Sequence, residues 1–290
     1  MILVILFSLI LNFAFAQNPI NIIYTNDLEG SVATCGCATD PGGGVVRAMN
    51  WYKKSAFSPS DTIYINSGST LFSGSAYASY EVKTIKLGAV IMADFLSAMN
   101  LDAYTPGEND SKLGLDFFTA TTKKLPILIT NSSDKKILKE INIKRAGYDI
   151  TILGVSSNKK FSVSDPVKAL KDAVKKNKKK GGVMILLADV DEKTLNTIAK
   201  QVSDIDVILS SGIQEQLTEP LAIKDSVVVR LLEGGDSVGL LKYHPEKKKE
   251  EKFDNQIIYL GSAYDKENAF SARVKKYEEL QKTAAPRLKN

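Results

Sequence analysis

Thr25-Asn26-Asp27-Leu28-Glu29-Gly30 follows the apolar run Ile20 to Tyr24 and precedes Cys35-Gly36-Cys37. The run reads as a buried strand of a parallel sheet, since such strands are covered on both faces and lose the alternation of a half-exposed strand. A strand that ends in Asn-Asp-x-Glu-Gly sets short polar side chains at the carboxyl end of the sheet, where α/β folds keep their ligands. Asn and Asp are also ordinary turn formers after a strand. Spacing alone therefore leaves a functional loop and a plain turn both open.

Strand and helix patterns alternate outward from this stretch. A Gly-rich loop from Ser31 to Gly44 holds both cysteines, and a helix is predicted over Val45–Lys54. Thr62–Asn66 reads as a strand, Thr84–Met99 as an apolar helix, Leu101–Tyr104 as a short strand, Leu113–Lys123 as a helix and Pro126–Thr130 as a strand. Leu138–Ile143 and Tyr148–Val155 suggest a hairpin turning at Ala146-Gly147. Helices over Pro166–Lys178 and Lys193–Val202 then alternate with strands at Val183–Leu187 and Val207–Leu209. Three β-rich stretches follow (Ser226–Leu232, Ser237–Tyr243, Gln256–Leu260), and Glu267–Lys282 closes as an amphipathic helix through Phe270, Val274, Tyr277 and Leu280. The pattern implies an α/β fold, a two-sheet sandwich flanked by helices.

Residues 1–16 are apolar and end in Ala14-Phe15-Ala16, the form of a secretory signal peptide with an A-x-A cleavage site. The run is short for a membrane span, which takes about 20 apolar residues. No Lys or Arg precedes it. The expected organisation is a signal peptide at 1–16, one domain at 17–264, and a C-terminal helix and tail at 265–290. The expected location is periplasmic or extracellular, with no transmembrane span after cleavage.

Composition is that of a globular chain, 44% hydrophobic and 24% charged, and the net charge of +5 comes from scattered lysines. The denser runs, Lys175–Lys180 and Glu246–Lys252, carry no interleaved aromatics, so no nucleic-acid partner is expected. They read as a solvated helix end and a solvated loop.

Tyr24-Thr25-Asn26-Asp27-Leu28-x-Gly30 resembles the opening motif of the calcineurin-like metallophosphoesterases, in the branch containing the N-terminal domain of bacterial periplasmic 5′-nucleotidases. The resemblance extends over most of Ile20 to Leu260 and implies the same two-sheet sandwich. It also implies a two-metal centre in which cations clamp the attacking and leaving oxygens of a phosphate ester. In the family the motif is Thr-Asn-Asp-Leu-His-Gly, so Asp27 is kept and Glu29 replaces a histidine ligand. The family's Gly-Asp falls on Gly68-Ser69, and its Gly-Asn-His-Glu on Gly107-Glu108-Asn109-Asp110. A single histidine ligand falls on Asp189, and Gly-His-x-His falls on Ser211-Gly212-Ile213-Gln214. The chain's one histidine, His244, matches none of these positions. No stretch resembles the domain that selects the nucleoside in such nucleotidases.

Two readings of these replacements differ in chemistry. In the first, Asn109 and Asp110 stand in the catalytic positions, Ser69, Gly212 and Gln214 are degenerate ligands, no cofactor is expected, and the chain is a binding or scaffold module. Its expected partner is a periplasmic protein or a small anionic ligand. In the second, Asp27, Glu29, Glu108 and Asp189 converge as an all-oxygen site that holds one Mg²⁺, Mn²⁺ or Ca²⁺, and the chain is an active phosphoesterase. Four converging carboxylates require a cation or shifted pKa values.

Cys35 and Cys37 offer a third chemistry. Across a single glycine a disulfide is strained and easily reduced, a redox-active property. The two thiolates alternatively supply half a site for copper or zinc, or the pair is a plain local disulfide. Resemblance to exported members that carry Cys-Gly-Cys before a Gly-Gly pair implies a role near the mouth of the site. We expect Cys35 and Cys37 to be joined in the exported protein and opened by mild reductant. Mass spectrometry after thiol alkylation, with and without that reductant, checks this, and two free thiols under oxidising conditions would favour metal binding.

Overall fold

The computed structural model describes residues 18–34, 40–248 and 251–284. The signal-peptide segment and both cysteines lie outside them. Two sheets pack face to face. The first has the order β11-β10-β1-β2-β3, formed by Phe253–Tyr259, Ser237–Tyr243, Ile20–Asn26, Thr62–Gly68 and Ala103–Pro106. The second has the order β4-β5-β6-β7-β9-β8, formed by Ile141–Arg145, Tyr148–Ser156, Val183–Asp189, Val207–Ser211, Ser226–Val229 and Leu221–Ile223. The central strands of both sheets run parallel, and antiparallel strands finish the edges.

Side-chain alternation decides what each face meets. Ile22 and Tyr24 of β1, Ile63 and Ile65 of β2, Ile185 and Leu187 of β6, and Val207 and Leu209 of β7 point between the sheets and form one buried core. The intervening Ile23 and Tyr64 join α1 (Val45–Ser55) and α2 (Val82–Ala98) in an outer core. Met184, Leu186 and Ile208 meet α4 (Pro166–Asn177) and α5 (Glu192–Gln201) on the far side. Strands covered on both faces explain the unbroken apolar runs of the sequence. Each such side chain contributes about 1.5–3 kcal/mol on burial.

Several expected elements are corrected. Pro126–Thr130 is not a strand but forms isolated bridges, Tyr104 to Ile127 and Leu128 to Leu138. Thr130 is drawn toward the second sheet instead, its N–H donating to Gly154 O (2.6 Å) and its hydroxyl accepting from Gly154 N. The strand expected at Leu101 begins at Ala103. The closing helix, α6 (Ser271–Ala284), starts four residues late because Asn268 turns the chain, its Oδ1 accepting from Phe270 N. The helix expected at Leu113 is α3, Leu115–Thr122. The last β-rich stretches divide between the sheets, and β8 has no counterpart in the expected pattern.

α6 packs on α2 through an edge-to-face contact of Phe95 with Phe270 and an Arg273–Asp94 ion pair of 2.9 Å. No described helix is long and apolar enough to cross a membrane.

One close approach fixes the pairing of β1 with β10. Gly239 stands opposite the fully buried Tyr24, and a Cβ built on it would lie 2.0 Å from the tyrosine ring. Gly239→Ala forces that ring out of the inter-sheet core, a cost of about 1–3 kcal/mol. The melting temperature is expected to fall by about 2–4 °C for each kcal/mol lost. An unchanged thermal transition in Gly239→Ala would refute the packing.

Candidate functional site

The carboxyl ends of β1, β2, β3, β6 and β7 meet along one rim. After β1 the chain turns through left-handed backbone at Asp27 (φ 45°), Glu29 (φ 52°) and Gly30 (φ 71°). Asp and Gly tolerate this region, whereas Glu rarely enters it. The turn is laid against the end of β2 by backbone bonds, Glu29 N to Ser69 O and Gly30 N to Thr70 O, both 2.9 Å.

Asp27 thereby points across to the other sheet. Its Oδ1 accepts from Ser69 N and its Oδ2 from Gly212 N, each at 2.9 Å, and Asn26 Nδ2 adds a third bond at 3.2 Å. Asn26 is itself locked to Leu231 through both backbone groups. Ser67 and Ser211 share a hydroxyl bond of 2.8 Å between β2 and β7. Ser211 also lies 3.4 Å from Asp189 Oδ1. On the near side, Ser69 Oγ accepts from Asn109 Nδ2 (3.1 Å) and Asn109 N (3.3 Å).

Burial pushes the Asp27 carboxyl up, against the pull of its three donors. Asp189 is raised well above the carboxylate range, first by burial and then by Asp27, Asp110 and Glu108. Glu29 is raised by burial, then by Glu233 and Asp27. The rim is thus an acidic, largely enclosed network.

Other residues of the rim turn away. Glu108 is exposed, while its backbone carbonyl and that of Gly107 accept from Asn158 Nδ2. Gln214 is exposed and donates to Glu233 (3.2 Å). Neither Glu233 nor Lys112 carries a sequence signal that would have marked it as part of this rim. Asp110, aligned with a catalytic motif, is fully buried and structural in its contacts. Its Oδ1 accepts from Thr70 N (2.8 Å) and Leu71 N (2.6 Å), and its Oδ2 from Gly107 N (2.9 Å) and the Tyr104 hydroxyl (2.5 Å).

A two-metal centre needs several ligand atoms turned toward common points, with a bridging carboxylate between them. Among the described residues no group of three or more His, Cys, Asp or Glu is so arranged. Asp27 and Asp189 flank Ser211-Gly212, and Glu29 and Glu108 act on them through charge, without the four carboxylates forming such a group. Asp27 rests directly on the β2 backbone: a Cβ on Gly68 would lie 2.1 Å from its Oδ1 and 2.7 Å from Ser211 Cβ. Main-chain N–H groups stand at both of its oxygens. Ser69, Asn109 and Gly212 add a hydroxyl, an amide and no side-chain ligand. This set does not fit the family's two-metal centre.

Fold and rim together define the class: the described residues have the fold of the calcineurin-like phosphoesterases. Among solved structures, the 5′-nucleotidase precursor from Thermus thermophilus superposes with a TM-score of 0.74 at 16% identity, over 91% of this chain and 59% of that one. The calcineurin-like phosphoesterase YfkN from Bacillus subtilis gives 0.67 at 18% identity, over 92% of this chain and 98% of that one. The Haemophilus influenzae NAD nucleotidase gives 0.66 at 18% identity, over 91% and 56%. The chain thus spans under two thirds of the two nucleotidases, and at these identities the likeness is one of fold. No protein-family model and no curated protein sequence matches the chain.

Asp110 supplies a pH test of the rim. Burial raises its carboxyl from 3.8 to about 7, although its donors favour the ionised form. A folded pKa above the unfolded one means added stability that is complete below about pH 4 and lost as pH rises through about 7. Asp110→Asn removes this dependence and sets an amide against Gly107 N–H, costing about 1–3 kcal/mol. Denaturation at pH 5 and pH 8 should show the wild type losing more stability between them than the variant. Equal slopes would refute the assignment.

Proposed function

We propose that this chain is an exported, non-hydrolytic relative of the 5′-nucleotidases, a binding or scaffold protein that meets its partner through the old cleft or the Cys35–Cys37 loop beside it. The observation that carries this reading is Asp27. Its carboxylate, placed where the family motif puts a metal ligand, is engaged on both oxygens by the backbone of Ser69 and Gly212.

Residue chemistry supports the same conclusion. Ser69 is neutral and has one oxygen, so it cannot bridge two cations as an aspartate does. Asn109 has no proton of suitable acidity for a leaving group, and general acid catalysis of that kind is worth about 10²–10⁴-fold. Gly212 has no ligand atom, and Gln214 spends its amide on Glu233. Such defects act on one unit, so restoring any one of them leaves the others in force. Export is supported by the apolar segment at 1–16 and its Ala-x-Ala end.

The purified protein is expected to hydrolyse neither a nitrophenyl phosphomonoester nor the diester above background with Mn²⁺, Mg²⁺ or Ca²⁺ added. Its melting temperature should be the same in EDTA and in millimolar Mn²⁺, because a ligand that binds only the folded state would raise it. Turnover with Mn²⁺ that Asp27→Ala abolishes would overturn the proposal and install the carboxylate-rich phosphoesterase in its place.

A further inference from the structure

The segment Leu71–Ala78 leaves the end of β2 and crosses the rim before α2 begins. Its root is fixed by Asp110, through the N–H groups of Thr70 and Leu71. Buried Phe72 stiffens that root, with ring centres 6.1 Å from Phe117 and 6.4 Å from Tyr77. Its crest is held by Lys112, two residues beyond Asp110. Lys112 Nζ donates to Ser73 O (2.8 Å) and to Ser75 O, and stands 4.7 Å from the centre of the Tyr77 ring. The Tyr77 hydroxyl accepts from Ser73 N at 3.0 Å.

The inner side of the crest faces the cleft. The Gly74 peptide group lies near enough to Glu29 to pull its carboxyl down against the push of burial. The one heavy atom near a Cβ built on Gly74 is Asn109 Nδ2, at 3.7 Å, the amide that donates to Ser69 Oγ. The crest therefore lies against Asn109, beside the Ser69 hydroxyl that Asn109 holds.

We infer that Ser73–Tyr77 is a strap closed over the cleft and latched by Lys112, so that a partner reaches Ser69 and Asp27 only when the latch lets go. The latch is built to release locally. An ammonium held by two carbonyl groups and an aromatic face is bound by contacts that lie within the strap itself. Gly74, Ser75 and Ala76 are exposed, and segments with few buried contacts open at a small fraction of the global unfolding free energy. The root, by contrast, shares the buried Asp110 with β3, so opening is confined to the crest. The inference rests on the cleft being a binding surface, but its test needs no ligand and so fails or succeeds separately from that reading.

Amide hydrogen exchange of the full chain reads the strap directly. Ser73 N–H is expected to be protected in the wild type and to exchange about tenfold faster in Lys112→Met, which loses a charged donor. Access is read by Ser69→Cys in a chain carrying Cys35→Ser and Cys37→Ser. Its labelling by a soluble maleimide should quicken about tenfold when Lys112→Met is added, matching the exchange change. Tyr77→Phe gives an independent variant: it removes the acceptor for Ser73 N–H while leaving Lys112, and should speed exchange at Ser73 alone. An unprotected Ser73 N–H in the wild type, or labelling that ignores Lys112→Met, would overturn the latch. So would acceleration in both variants that extends to Leu186 in β6, since the loss would then be global.

Discussion

The bond pair that the rim depends on is the reach of Asp27 from the first sheet to backbone N–H groups of both. Through Ser69 it holds the end of β2, and through Gly212 the end of β7. A buried carboxylate is costly unless donors surround it. Here the donors are peptide groups, fixed in place by the strands that carry them. Removing the side chain would strand the buried Ser69 N–H, and an unsatisfied buried group costs about 1–3 kcal/mol. Asp27 is therefore a joint between layers before it is anything else, and the Ser67–Ser211 hydroxyl bond makes a second joint beside it.

Two joints of this kind hold the carboxyl ends of the two sheets against each other. Each carboxylate oxygen offers two lone pairs, and one on each oxygen of Asp27 is taken by a backbone N–H. These bonds tie the sheet edges through the protein's own groups. The remaining acids then manage their charge by burial and separation. Asp189 is pushed toward its neutral form, Glu108 is exposed to solvent, and Glu29 is raised by burial and by its acidic neighbours. Asp110, with four donors, organises the neighbouring turn and the root of the strap at once.

Much of this fold was legible because both sheets are buried on two faces. Ile20–Tyr24, Val183–Leu187 and Val207–Leu209 are unbroken apolar runs, and each is a central parallel strand. Pro126–Thr130 has the same look but pairs only through single bridges, since Thr130 is claimed by Gly154 in the other sheet. No local pattern contains that long-range contact. Placement of Asp27 at a strand end was likewise readable from Asn-Asp-x-Glu-Gly. What Asp27 does there was not, because its partners are main-chain atoms at Ser69 and Gly212, which have no residue-type signature. Side-chain identity gave no sign that Asp110 would be consumed by four donors, or that Glu108 would face away from Asp27.

That last difference bears on how the cleft can be used. A side chain that enters it meets surfaces already satisfied: Ser69 is bonded to Asn109, Asp27 to two amides, and Gln214 to Glu233. A partner gains only by displacing bonds of similar strength, and the net worth of such an exchange is small. The groups that can still offer something new are those at the margin, where Glu29 and Glu233 repel one another. Lys112 lowers the Glu29 carboxyl by its charge while its donors hold the strap. One lysine thus serves both the closed segment and the acid beneath it.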